Sequence, residues 1–207
     1  MNTKESEMQQ QIMQAAEELI MDRGFDATST TDIARKVGCN QALVHYYFRT
    51  KENLFQQIFV KNIDAVLEFL DAYQFEGSVE DIVKKIVEAY FSVLSQHRKL
   101  PFIFVSQLLS NDDRRMFVRD YIVENERRRR VYYRFDGVVQ RAVASGQIRP
   151  IKTLDLFMNI VSLIIFTFVS LPMYMDWLRK DEQEVQAYLQ ERQEEIVRSI
   201  VYSLRPL

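Results

Sequence analysis

The stretch that decides the fold is STTDIARKVGCNQALVHYYF, residues 29–48. It reads as two short helices joined by a tight turn. Ser29 suits an N-cap, and Asp32 three residues later can complete a capping box. Ile33, Ala34 and Val37 supply the buried stripe of the first helix. Gly38 stands where the chain must stop and turn, a position that favours positive φ. Asn40 can cap the second helix. That helix turns Gln41, Ala42, His45, Tyr46 and Tyr47 outward, while Val44 and Phe48, four apart, face in. Small, polar and aromatic residues at the start of the second helix suit a major-groove recognition helix.

The flanks extend this reading. A preceding amphipathic helix sets Met8, Ile12, Ala15, Ala16 and Leu19 on one face and ends at Gly24, after which Phe25 turns back into the same core. Thr50 can cap a fourth helix that begins at Lys51 and buries Leu54, Phe55 and Ile58. The segments IMQAAEELI (12–20), GFDATSTTDIA (24–34) and YYFRTKENLF (46–55) resemble the N-terminal DNA-binding domain of TetR-type bacterial transcriptional regulators. The resemblance covers the first quarter to third of the chain. One position departs from it: the family usually has a Tyr near the middle of the recognition helix, where this chain has His45.

Composition sets the outer bounds. The 207 residues suffice for one large or two small domains, and 47% are apolar, enough for a sizeable core. Five Gly and four Pro argue against an all-β or disordered chain. The net charge of −2 excludes a globally basic nucleic-acid coat. Positive charge is local: Arg35, Lys36, Arg49 and Lys51 stand against Asp32 alone between Thr28 and Lys51. A single cysteine, Cys39, cannot form an intrachain disulfide, and residues 1–20 lack a signal-peptide pattern, so a cytoplasmic location is expected. Cys39 reads as a small residue filling the turn. The apolar run 154–175 holds Asp155 and Asn159 and is cut by Pro172, which leaves it short of the roughly 20 residues a membrane span needs. It is expected to be a core and interface helix, with no membrane partner.

Helical periodicity dominates the chain, with no repeat and no convincing strand. The expected fold is all-α: a three-helix helix-turn-helix domain over 1–50, then a larger helical domain over 51–207, about nine helices in all. A linking helix runs from Lys51 to about Gln74. Gly77 breaks the pattern, and Ser78 with Asp81 opens the next helix, which ends near His97. Pro101 fits the first turn of a short helix through Leu109. Asn111 or Asp112 starts a long helix to Ala144, ended by Gly146. Thr153 opens the apolar helix, 153–178, and Asp181 the last, 181–204. In the resemblance, GQIRP at 146–150 leads into the dimerisation helices.

The residue types then suggest roles. Thr28, Ser29 and Thr30, at the start of the first motif helix, offer hydroxyl and N–H groups to a phosphate, as do Thr50 and Lys51 at the fourth helix. Tyr47 adds a hydroxyl. Gln41 can pair bidentately with adenine, and Ala42 and Leu43 suit a thymine methyl; His45 and Tyr46 are candidates for base or phosphate contact. One such motif reads too few base pairs for genomic specificity. Residues 154–178 are apolar on more than one face, so the last two helices are expected to meet their symmetry mates in a four-helix homodimer interface. Two motifs would then read a palindromic operator.

Between about 78 and 175 the chain is crowded with large side chains that either fill a core or line an apolar ligand cavity; Tyr90, Phe102, Phe117, Tyr121, Phe157 and Val161 are the candidates. The resemblance implies that a small apolar or amphipathic molecule enters here and tilts the fourth helix to release DNA. The cationic run Arg127–Arg130, beside Glu124 and Glu126, reads as a solvated, salt-bridged face. His45 and His97 lie far apart without Cys partners, which argues against a metal, and the standard catalytic motifs are absent. The function expected is a ligand-responsive repressor, without cofactor or enzymatic activity. The alternatives are the same DNA-binding fold under a protein partner's control or none, and a helical lipid- or ligand-binding protein.

Overall fold

The computed structural model describes residues 3–206 apart from 74, 76, 99, 110 and 111. The described residues form ten helices and no strand. They divide into two compact units, with the division between Asp64 and Ala65, inside the linking helix.

The first unit contains α1 (Thr3–Arg23), α2 (Thr30–Val37), α3 (Gln41–Phe48) and the first part of α4 (Lys51–Ala72). Ile12 and Ala16 of α1, Ile33 of α2, Val44 and Phe48 of α3 and Leu54 of α4 are almost wholly enclosed. Each boundary has a local cause. Gly24 follows α1 with φ 86°. Ser29 and Asp32 form a reciprocal capping box at the start of α2. Gly38 ends α2 at φ 78°, and its N–H reaches the carbonyls of Ala34 and Arg35. Asn40 accepts from the Ala42 N–H to start α3. One buried polar pair is satisfied internally: the Asn62 amide donates to Glu17 (3.3 Å) and to the Ile58 carbonyl (2.9 Å).

The second unit holds the end of α4, then α5 (Val79–Leu94), α6 (Leu100–Leu108), α7 (Asp112–Glu124), α8 (Glu126–Ala144), α9 (Thr153–Leu178) and α10 (Glu182–Ser203). Helix α5 packs against α8, α9 and α10. Helix α9 buries Leu156, Ile160, Ile164, Phe168, Leu171 and Met175 at three- and four-residue spacing, and Phe168 meets Phe91 edge to face at 5.2 Å. Helix α10 buries Val185, Leu189, Ile196 and Ile200, with Leu204 enclosed just past its end, while Tyr188 is exposed. Arg149 ties the loop before α9 to the end of α10, donating from its side chain to the Ser203 carbonyl and from its backbone to Leu204.

Three sequence expectations change. The long helix from Asp112 to Ala144 is two helices, because Asn125 takes an extended conformation (φ −70°, ψ 112°) and its side chain caps α8 at the Arg128 N–H. This accounts for ten helices where nine are expected; Asn111 lies outside the described residues, as does Gln74, and α4 ends at Ala72. Thr153 opens α9 as expected, as its first helical residue, and its buried hydroxyl donates to Asp136 on α8. Pro172 does not cut α9, which runs through it for 26 residues. Length and composition alone would therefore let α9 cross a membrane. Its buried face is committed to the unit's own core, and its other side mixes apolar groups with Asp155, Asn159 and Asp176, which are costly in hydrocarbon.

The capping carboxyls of Asp32 and Asp81 are held below the ordinary carboxylate range by the hydrogen bonds of Ser29 and Ser78. A carboxyl that ionises more readily folded than unfolded adds stability above its unfolded pKa. That stability is lost as pH falls through the lower folded value. Urea unfolding from pH 7 down to about pH 3 should therefore show an acid-dependent loss that is smaller in Asp81→Asn than in the parent chain. At neutral pH Ser78→Ala should cost about 1 kcal/mol.

Candidate functional site

The outward face of α3 carries a polar chain of hydrogen bonds rather than separate solvated residues. The Gln41 amide nitrogen donates to the Thr30 hydroxyl (3.0 Å) and lies 3.3 Å from His45 Nε2. His45 Nδ1 is 3.0 Å from the Arg49 carbonyl, which can only accept. Nδ1 therefore carries the proton, and Nε2 accepts from Gln41. Arg49 ends α3 with φ 59° and ψ −53°, and the Thr50 N–H bonds back to the Phe48 carbonyl across it. A non-glycine residue rarely adopts this conformation. Thr50 in turn accepts from the Asn53 N–H and starts α4.

The other expected contacts divide clearly. Ala42 and Tyr46 are exposed, Tyr46 at 71%. Leu43 is half-buried. Tyr47 is also half-buried, packed on the small core with its ring 5.2 Å from that of Tyr46. Thr28 is a correction: it is 1% exposed and its hydroxyl donates to the Gly24 carbonyl at 2.8 Å, closing the loop between α1 and α2 instead of facing a phosphate. The Ser29 hydroxyl is used on both sides by Asp32, donating to its carboxylate and accepting from its N–H. Lys51 Nζ donates to the Phe25 carbonyl (2.9 Å) and sits 4.1 Å from the centre of the Phe25 ring. The Thr30 and Thr50 hydroxyls and the first N–H groups of α2 remain the best placed for an anion.

Residues 12–58 match the family model described as bacterial regulatory proteins, tetR family. Residues 12–58 therefore form a TetR-type DNA-binding domain. It is 23% identical over 153 residues to the uncharacterised HTH-type transcriptional regulator YfiR of Bacillus subtilis, a match covering 70% of each chain. It is 21% identical over 140 residues to the fatty acid metabolism regulator protein of the same organism, covering 67% of this chain and 70% of that one. Among solved structures, the transcriptional regulator FadR of Bacillus subtilis in complex with stearoyl-CoA superposes with a TM-score of 0.69 at 19% identity, over 95% of this chain and 99% of that one. That likeness establishes the TetR-type fold of the second unit as well as the first. The chain is a DNA-binding transcriptional regulator.

Within the second unit lies a cavity of about 250 Å³. Leu67 and Leu70 of α4 form one wall, Ile86 and Tyr90 of α5 another, and Leu154 and Phe157 of α9 a third. Helix α8 adds Val131, Tyr132 and Phe135 together with the cations Arg128 and Arg129. Phe75, buried at φ 50°, packs its ring near Phe135 and closes the wall. Tyr90 keeps part of its surface on the cavity, yet burial pushes its phenol above the ordinary range; burial also raises Tyr132, with Asp136 adding to it. Both therefore present neutral hydroxyls to the cavity.

Of the six expected ligand residues, Tyr90 and Phe157 line this cavity. Phe102 is 61% exposed on α6, Phe117 and Tyr121 stack on each other along α7, and Val161 is half-buried on α9; these four lie outside its wall. The sequence reading missed Arg128 and Tyr132 because the cationic run looked like surface. Their spacing from the buried Val131 and Phe135 was the available signal, since i, i+3 and i+4 neighbours share a helix flank.

Large apolar groups also stand exposed along α9 and α10: Leu154, Met158, Phe166, Met173 and Trp177, then Tyr188 and Tyr202. The α9 members follow nearly four-residue spacing along one side of the helix, opposite its buried face. An apolar stripe of this length on one surface marks an interaction site.

Lys51→Gln removes the charged donor to the Phe25 carbonyl and the cation over the ring. Chemical denaturation should show a loss of about 1 kcal/mol, and hydrogen exchange should quicken at the start of α4 and in the loop holding Phe25.

Proposed function

We propose that this regulator is a cytoplasmic repressor that binds a palindromic operator as a homodimer and releases it when an amphipathic, acyl-type ligand fills the cavity. It acts by binding, without catalysis and without a cofactor. The observation that carries the reading is that α4 serves both sites. Leu54 and Ile58 belong to the core that supports α3, while Leu67 and Leu70 of the same uninterrupted helix form a cavity wall. A ligand that prefers one position of that wall must bias whatever the helix also supports.

The ligand class rests on the cavity's chemistry and on the relatives. The wall is largely apolar, with two neutral phenols and two arginines at α8. A fatty acid metabolism regulator and a stearoyl-CoA complex stand among the similar proteins. At about 250 Å³ the cavity falls just below the roughly 300–1,000 Å³ of typical ligand clefts, which favours a short or medium alkyl chain. The exposed stripe of α9 with Tyr188 and Tyr202 of α10 supports the dimer, since a second copy would cover it by two-fold symmetry. In such a dimer the recognition helices would meet successive major grooves about 34 Å apart.

In the DNA-bound state Gln41, Ala42, Leu43, His45 and Tyr46 are proposed to face base edges and nearby phosphates, with Ser29, Thr30, Tyr47, Thr50 and Lys51 along the backbone. Selection from a random DNA pool at fixed salt should enrich a palindrome, and decanoate or a longer-chain acyl compound should reduce recovery of the bound pool. Failure to enrich any sequence at low salt, with or without a refolding step to remove ligand, would sink the proposal. Gln41→Ala should lose about 1–3 kcal/mol of discrimination at one base pair of each half-site. Trp177→Glu, placing a charge on the exposed stripe, should shift the protein to monomer in sedimentation and abolish tight operator binding.

A further inference from the structure

The α8 arginines form the salt-bridged, partly exposed face that the sequence suggests, but their charge is gathered on one partner. Arg127 Nε lies 3.7 Å and Arg130 Nη2 3.3 Å from one oxygen of Asp71, and Arg134 Nη2 bonds its other oxygen. Arg134 also donates through both Nη atoms to the Asp71 backbone carbonyl, at 3.2 Å each. Three guanidiniums thus converge on a single carboxylate in the last turn of α4. The surrounding groove, about 630 Å³, is lined by Asp71, Glu126, Arg129, Arg130, Tyr133 and Arg134. Arg129 and Tyr133 also line the apolar cavity, so groove and cavity share a wall. Arg134 Nε is buried without a hydrogen-bond partner, its guanidinium lying over the Phe75 ring at 5.3 Å.

We propose that this cluster is the headgroup subsite of the cavity's ligand, suited to a phosphate-bearing anion, and that the Asp71 carboxylate is an internal occupant which the headgroup displaces. The proposal rests on the ligand reading above and adds the headgroup. Arg129, Arg130 and Arg134 line the groove against Asp71 and Glu126, and Arg127 adds a further cation at Asp71, so the lining carries an excess of positive charge. A ligand carboxylate would merely exchange one carboxylate for another. A phosphate brings more charge and three acceptor oxygens to guanidinium forks whose planar geometry matches it. An anion arriving beside Asp71 repels that carboxylate, so the two compete for the same cations. Asp71 belongs to α4, two turns of which carry Leu67 and Leu70 of the cavity wall. Headgroup binding therefore frees the end of the helix whose wall the tail contacts, and head and tail act on one element.

The test is calorimetry on the full chain with three probes sharing one tail: decyl phosphate, decanoate and decanol, each below its micelle concentration, with inorganic phosphate as a fourth. Decyl phosphate should bind about tenfold more tightly than decanoate. Arg130→Gln, on an exposed side chain, should erase that advantage and leave decanol unchanged. Asp71→Asn, which removes the competitor, should strengthen decyl phosphate about tenfold, again without effect on decanol. Equal binding of decyl phosphate and decanol would overturn the proposal. So would an Asp71→Asn protein that melts earlier and binds phosphate no better, the behaviour of a purely structural clamp. If none of the three tails binds, the ligand reading fails. Stronger binding of inorganic phosphate to Asp71→Asn than to the parent chain would then still uphold the anion subsite, and its absence would end it.

Discussion

The uninterrupted hydrogen-bond ladder of α4 is the constraint on which the rest of the chain depends. This one helix must satisfy two separate hydrophobic clusters, Leu54 and Ile58 in one and Val66 and Leu70 in the other. A break would uncouple them, and the chain secures both ends. Thr50 caps the start through the Asn53 N–H, Asn53 donates to the Phe48 carbonyl, and Lys51 anchors to Phe25. At the far end Arg134 meets a carbonyl that the helix leaves unpaired, at the pole where a cation is favoured. Neither end is left to fray, although no Pro or Gly punctuates the helix itself.

His45 takes its meaning from the same neighbourhood. It links the Gln41 amide to the Arg49 carbonyl, accepting at one ring nitrogen and donating at the other. A tyrosine, the residue usual at this place in the family, has one oxygen and could not span both partners in this way. The chain thereby holds Gln41 in a defined orientation before DNA arrives. In the proposed pairing with an adenine the amide would exchange its bond to Thr30 or to His45, which would offset part of the gain on binding. Arg49 is held at positive φ by the same carbonyl contact, which places its exposed side chain just beyond the recognition helix.

What could be read from the sequence was what is local. The capping boxes at Ser29 and Ser78, the glycine turn at 38 and the paired apolar positions of α3 all depend on neighbours within four residues, and all stand as expected. Two local signals misled. Asn125 interrupts a pattern whose periodicity continues on both sides, and Pro172 sits in a helix that packing carries through it. Tertiary burial outweighs the lost hydrogen bond there, because Phe168, Leu171 and Met175 on either side are all enclosed. The cavity was hardly legible. It is made of residues from four helices, and nothing in any one of them distinguishes a wall from a core. Thr28 failed for the same reason in miniature: a hydroxyl at a helix start points to a phosphate or back to a loop carbonyl, and only the fold decides.

The cavity also has an energetic consequence. A dry void of about 250 Å³ would, at ~24 cal/mol per Å³, cost about 6 kcal/mol, comparable with the whole stability of an ordinary domain. The close packing of α5, α9 and α10 next to it shows that the chain is able to fill its interior when nothing else is required. The cost is avoidable only where polar groups let water in, and the α8 wall with Arg128, Arg129 and Tyr132 supplies them. The apolar walls of α4, α5 and α9 gain nothing from that water. A ligand that laid its tail against those walls and left its polar end among the α8 cations would gain the apolar contact without stripping the arginines of polar partners. The division of the cavity into an apolar side and a cationic side is thus what supports the proposal of an amphiphile rather than a hydrocarbon or a free anion.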